Sequence, residues 1–116
     1  AGLADATAAS LPLGTRRLLE VARALVARPR VLLLDEVASG LDEDEIERLA
    51  DLIRAIRAAG TTVILVEHNF RLVLDLADVI HVLAQGELIA SGTASEIENH
   101  PRVLSEYLGV RQEVRP

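Results

Sequence analysis

Val31-Leu32-Leu33-Leu34-Asp35-Glu36 is a run of four branched apolar residues that breaks off in two adjacent carboxylates. Pro29 bounds it upstream. So short and apolar a run fits a strand buried on both faces of a parallel sheet, with a buried helical segment as the assignment that periodicity alone leaves open. As a strand, it delivers Asp35 and Glu36 to its C-terminal end, the edge at which open α/β sheets bind ligands. Two acids there point to metal and water chemistry. The plainer alternative is that they open a loop and cap a helix.

Outward from this run the chain alternates helix and strand. Upstream, Leu18, Val21, Ala22 and Leu25 recur at spacings of three and four, which predicts a helix over residues 16–27. Pro12 is tolerated at a first helical position, and Gly14 leaves the first turn uncrowded. Downstream, Asp42 and Glu45 form a capping-box pair ahead of Ile46, Leu49, Ala50, Ile53 and Ile56, one apolar helical face that Gly60 closes. Residues 61–66 read as a second strand, rich in β-branched side chains, ending at Glu67-His68-Asn69. Phe70, Val73, Leu74 and Ala77 predict a short helix that Asn69 can cap. A third strand over 79–83, a turn over 84–87 and a return strand over 88–91 read as a hairpin. Thr93 with Glu96 opens another helix, to about Asn99, and Pro101 starts a last one, to Leu108, which Gly109 stops. Residues 110–116 read as a tail.

Composition bounds the function. The chain has 116 residues, so it is at most one domain and can be less than one. Half of it is hydrophobic, yet only Phe70 and Tyr107 are aromatic, so the core is aliphatic. A net charge of -6 argues against nucleic-acid binding by bulk electrostatics. With no Cys there are no disulfides or thiolate metal sites, and with no long apolar run no direct membrane insertion is expected. All twelve basic residues are Arg. A chain without Lys cannot contain the phosphate cradle Gly-x-x-x-x-Gly-Lys-Ser/Thr.

If the alternating elements form a parallel sheet, Asp35, Glu36 and His68 share one edge, because neighbouring parallel strands bring their C-terminal ends within roughly 5 to 10 Å. One acid can hold Mg²⁺, a second can deprotonate a water, and an imidazole can donate to a phosphoryl oxygen. His68 taken alone reads as an ordinary helix-start histidine; counted with the acids it reads as functional. Glu67 reads as a structural neighbour, and His81 and His100 as structural or solvent-facing.

Four motifs in order, Leu11-Pro12-Leu13-Gly14-Thr15, Leu32-Leu33-Leu34-Asp35-Glu36, Ser39-Gly40-Leu41-Asp42 and Val66-Glu67-His68, resemble the C-terminal half of an ABC-type ATPase domain. The resemblance implies an α/β fold: part of a P-loop NTPase-like parallel sheet flanked by helices, with a C-terminal hairpin and short helices. It implies residues 1–109 as the C-terminal portion of one ATPase domain, with the signature loop and helix in 1–28 and part of the catalytic core in 29–109. It assigns Asp35 to Mg²⁺, Glu36 to the general base, and His68 to the γ-phosphate of ATP. Ser39, Gly40 and Asp42 match the loop that crosses to a second ATPase subunit, and Leu11, Pro12, Leu13, Gly14 and Thr15 match the signature loop that covers the partner's ATP in a head-to-tail dimer. The ending, Ile89-Ala90-Ser91-Gly92-Thr93 through Tyr107-Leu108-Gly109, is similar to the ATPases of branched-chain amino-acid importers.

Pro12, Leu13 and Thr15 depart from the usual serine, glycine and glutamine, leaving backbone N–H groups at a helix start as the anion donors. The cradle, the adenine-stacking aromatic and the glutamine loop have no counterpart. The expectation is therefore a truncated catalytic domain unable to hold ATP alone with normal affinity. Implied partners are a second ATPase copy and transmembrane permease subunits, with the protein cytoplasmic and peripheral on the inner face of the cell membrane. A non-catalytic module docking through the signature helix is the competing function. A Rossmann-like cofactor domain is a third, which the absence of Gly-x-Gly-x-x-Gly disfavours.

Overall fold

A computed structural model describes residues 12–107 and divides the chain into two compact units, Ala1–Asn69 and Phe70–Pro116. Leu11 of the expected signature loop, Leu108 and Gly109 at the expected end of the last helix, and the 110–116 tail lie outside the described residues.

In the first unit, α1 (Leu13–Leu25) leads to β1 (Val31–Asp35), α2 (Glu43–Ala58) and β2 (Thr62–Val66). The two strands pair in parallel, Val31 opposite Thr62 through Asp35 opposite Val66. Pro12 is the N-cap of α1 rather than its first helical residue and, having no polar side chain, contributes no capping bond. The α2 capping box forms as expected: Asp42 accepts from the Glu45 N–H at 2.8 Å while the Asp42 N–H donates to Glu45 Oε1 at 3.1 Å. Leu49, Ala50, Ile53 and Ile56 of α2, Val21 of α1, and Leu32 and Leu34 of β1 form the buried set. Ala22, placed by periodicity on the same stripe, is exposed.

The strand is not buried on both faces. Leu32 and Leu34 are buried, whereas Val31 is 53% and Leu33 63% exposed. On β2, Ile64 and Val66 are also about half exposed. In-register pairing makes Val31, Leu33, Ile64 and Val66 one bare apolar face, because alternate side chains of a strand share a face. The helices α1 and α2 serve the other face alone.

The second unit contains α3 (Phe70–Leu76), β3 (Ile80–Ala84), β4 (Glu87–Gly92), α4 (Ala94–Glu98) and α5 (Pro101–Glu106). Here the structure differs from a single parallel sheet of three strands: β3 pairs antiparallel with β4, in a sheet of its own. The hairpin loop is tighter than expected, two residues rather than four. Gln85 and Gly86 both adopt positive φ (50° and 78°), the twist that lets a two-residue loop match antiparallel strands. Ile80, Val82, Ala90, Ile97 and Val103 form the core of this unit. The Tyr107 hydroxyl donates to the Leu83 carbonyl, and the Tyr107 ring lies 6.1 Å from that of Phe70. His100 caps α5 by accepting from the Arg102 N–H, the structural role expected of it.

Gly14 is buried because Glu45 occupies the place of its missing side chain: a Cβ there would stand 1.6 Å from Glu45 Oε2. Alanine at 14 must expel the carboxylate and open half of the α2 capping box, a loss that outweighs the better helix propensity of alanine. In the complete protein, Gly14→Ala is expected to lower Tm by roughly 2–4 °C. In a Glu45→Ala background the same change is expected to be neutral or to raise Tm, and calorimetry of the four variants checks the reversal of sign.

Candidate functional site

Asp35 ends β1 on the bare face and is exposed. The next residue turns sharply. Its N–H still extends the ladder, donating to the Val66 carbonyl at 2.8 Å, but Glu36 takes φ 53°, a left-handed conformation that costs a non-glycine residue of order 1–3 kcal/mol. That turn sends the Glu36 carboxylate toward the end of β2, where His68 Nε2 lies 2.7 Å from Glu36 Oε1. Both side chains are open to solvent, 51% exposed for Glu36 and 84% for His68.

Even with both groups charged, a contact this exposed is worth about 0.2–1 kcal/mol at best. That is no more than the backbone strain at Glu36, so net stability does not account for the arrangement. Strain of this kind concentrates where a side chain must be aimed. With Glu36 ionised, the carboxylate accepts and His68 donates through Nε2–H; Glu36 Oε2 stays outside this bond.

The loop after Glu36 runs back into the core. Val37 and Ala38 are buried, and the Ala38 N–H donates to Glu67 Oε2 at 3.0 Å. Ser39 and Gly40 are exposed, with Gly40 at φ 79°. A Cβ on Gly40 would come 2.9 Å from Leu13 Cδ2, so this loop lies against the first turn of α1. The structure therefore brings Leu13 and Gly14 beside the segment that carries Gly40, Asp42 and Glu45. Asp42 is occupied as the α2 cap. Pro12 is exposed and Thr15 half-buried at the start of α1.

Among the described residues no group of three or more His, Asp or Glu side chains is arranged to hold a metal by itself. One exposed carboxylate nevertheless suits Mg²⁺ bound to a nucleotide, which keeps several waters and takes one or two carboxylates plus phosphate oxygens. A groove of the first unit lies at the other end of the strands, lined by Leu25, Pro29, Arg30, Ile56 and Thr61, and none of these acids lines it. Sequence reasoning missed the Glu67–Ala38 bond, the seat of Glu45 on Gly14 and the backbone conformation of Glu36. Only the adjacency of Glu67 to His68 hinted at the first.

Comparison with known proteins supplies the setting. Residues 2–75 match the family model described as "AAA domain, putative AbiEii toxin, Type IV TA system". The chain is 43% identical over 107 residues to the high-affinity branched-chain amino acid transport ATP-binding protein LivG of Salmonella typhimurium, covering 91% of this chain and 42% of the relative. It is 38% identical to the lipopolysaccharide export system ATP-binding protein LptB of Acidithiobacillus ferridurans, covering 92% and 44%. Among solved structures, MJ1267, an ATP-binding cassette of an ABC transporter, superposes with a TM-score of 0.79 at 27% identity, over 87% of this chain and 42% of that one. The chain thus spans about two fifths of the length of the relatives it matches.

The Glu36–His68 contact is checked by the ring nitrogens of ¹⁵N-labelled histidine in the complete protein. Glu36→Ala is expected to shift the His68 resonances and leave His81, bonded to Ser91, and His100 unmoved.

Proposed function

We propose, since this chain belongs to the AAA-domain family whose model covers residues 2–75 and is homologous to ABC-type ATP-binding subunits, that it is the C-terminal part of an ATPase whose complete form hydrolyses ATP to drive solute transport. The single observation that carries the reading is the 2.7 Å Glu36–His68 contact at the C-terminal edge of two parallel strands. Asp35, one residue earlier on the bare face, would hold Mg²⁺, which when bound supplies charge neutralisation on the phosphates.

The chemistry follows from the positions. A water held by Glu36 attacks the terminal phosphorus; the bond to the bridging oxygen breaks, the leaving ADP oxygen takes the negative charge, and the water's proton passes to the Glu36 carboxylate. His68 donates its Nε2–H to an oxygen of the transferred phosphoryl group. That N–H rests on Glu36 Oε1 in the described arrangement, so the incoming phosphate exchanges one anionic acceptor for another, and His68 stays within reach of both.

The bare face of β1 and β2 supports the same reading. Parallel sheets are covered on both faces, and the relatives carry more than half of their length outside the matched region. In the complete protein that remainder covers Val31, Leu33, Ile64 and Val66 and supplies the phosphate cradle. Pro12, Leu13, Gly14 and Thr15, with Leu11 before them, then meet the ATP of a second copy, and Ser39, Gly40 and Asp42 line the contact between the two subunits. The reading extends to permease subunits as partners, a position on the inner face of the cell membrane and a branched-chain amino acid as solute; the 43% identity to LivG, against 38% to LptB, supports the solute. Among the described residues no helix is long and apolar enough to cross a membrane.

In the complete protein, Glu36→Gln is expected to abolish steady-state ATP hydrolysis, a loss of at least about a hundredfold, while Mg²⁺-ATP binding measured by equilibrium titration stays within about threefold. Near-normal turnover in that variant would remove the general-base role. Loss of leucine uptake in cells carrying it tests the solute.

A further inference from the structure

Glu67 has no role in the proposed chemistry, yet its carboxylate makes a bond that nothing local in sequence requires. Its Oε2 accepts from the Ala38 N–H at 3.0 Å across 29 positions of chain, in a partly buried setting. Residue 38 lies two positions after Glu36, and the residues between them leave little freedom: Glu36 is in a left-handed conformation, and Val37 and Ala38 are buried. At its start the turn is tied by the Glu36 N–H to the Val66 carbonyl at 2.8 Å; beyond Glu36 the backbone ties are longer than the Glu67 bond, Ser39 N–H to the Glu36 carbonyl at 3.4 Å and Leu41 N–H to the Ala38 carbonyl at 3.2 Å. A carboxylate acceptor makes a stronger bond than a carbonyl, so the Glu67 bond is the main tie of the turn on its far side, after Glu36.

We infer that Glu67 is a positioning residue: it anchors the 36–38 turn to the end of β2, and so fixes where the Glu36 carboxylate stands relative to His68. Two consecutive residues grip the same turn at different points. His68 meets the side chain of Glu36, and Glu67 holds the backbone two residues on. Without the second grip a strained turn is free to relax toward ordinary φ, which swings the carboxylate away from the space it shares with the imidazole. Catalytic groups must be held within about 0.5 Å of their working geometry, and an error near 1 Å can cost about a hundredfold in rate.

The inference rests on the proposed hydrolytic reading, and the test keeps the two apart. In the complete protein, Glu67→Ala is expected to lower kcat for ATP by about ten- to a hundredfold while KM changes by less than about threefold, because the turn aims the base without holding the nucleotide. Hydrogen exchange at the Ala38 amide is expected to quicken in the same variant. Glu67→Gln, whose amide oxygen can still accept from Ala38, is expected to restore both. Turnover of Glu67→Ala within twofold of the parent, while Glu36→Gln is inactive, would overturn the inference and leave the hydrolytic reading standing. So would a Gln variant as impaired as Ala, or a loss spread equally over kcat and nucleotide-binding capacity, which would mark general misfolding. Slow Ala38 exchange in Glu67→Ala overturns the anchor whatever the activity.

Discussion

One register decides this protein: Asp35 of β1 stands opposite Val66 of β2, and the Glu36 N–H continues the ladder to the Val66 carbonyl. Residues 36 and 68, 32 apart in sequence, meet because both strands end at the same level and in the same direction. A slip of one residue would turn Leu32 and Leu34 from the helix-covered face to the bare one. The buried set of α2, with Leu49 fully enclosed, holds the register against that slip. Aliphatic burial on one face of the sheet therefore places the acids and the imidazole at its edge, and the site inherits its geometry from a buried set that is apolar among the described residues.

What was legible in sequence is what local periodicity and capping chemistry determine. The α2 stripe, the Asp42–Glu45 and Thr93–Glu96 boxes and the helix start at Pro101 each appear where the residues dictate. The meeting of Glu36 with His68 was legible too, because two strand ends and a parallel crossover suffice to bring them together. The rest depended on information that no window of sequence contains. Four apolar residues in a row cannot say whether one face or two will be covered, and Val31 and Leu33 prove to be on an open one. Strand order is likewise non-local: the hairpin of β3 with β4 was legible from its turn, but the alternation of elements also suggested a parallel neighbour for β3, and among the described residues it pairs with β4. The reach of Glu67 to Ala38 and of Glu45 to Gly14 depends on side-chain rotamers in a folded loop.

The bare face and the strained turn have a common physical sense. A two-stranded parallel sheet with one apolar face open fits the proposed larger domain, since its exposed branched side chains offer a surface that α1 and α2 do not cover. Asp35 emerges on that same face. In the proposed complete protein, the surface that completes the core also brings the phosphate-binding elements to the acids. Folding and assembly of the site are then one event, and the Glu36 turn, held by Val66, His68 and Glu67, is ready beforehand.

The edge carrying Asp35, Glu36 and His68 is proposed to receive a terminal phosphate and its metal. Anomalous scattering from crystals of the complete protein grown with ATP and Mn²⁺ in place of Mg²⁺ tests this most directly. The expected result is a manganese peak bound to Asp35 directly or through one water, with the γ-phosphate beside His68 Nε2. A metal and phosphate seated elsewhere, with Glu36 and His68 still closed on each other and facing solvent, would contradict it.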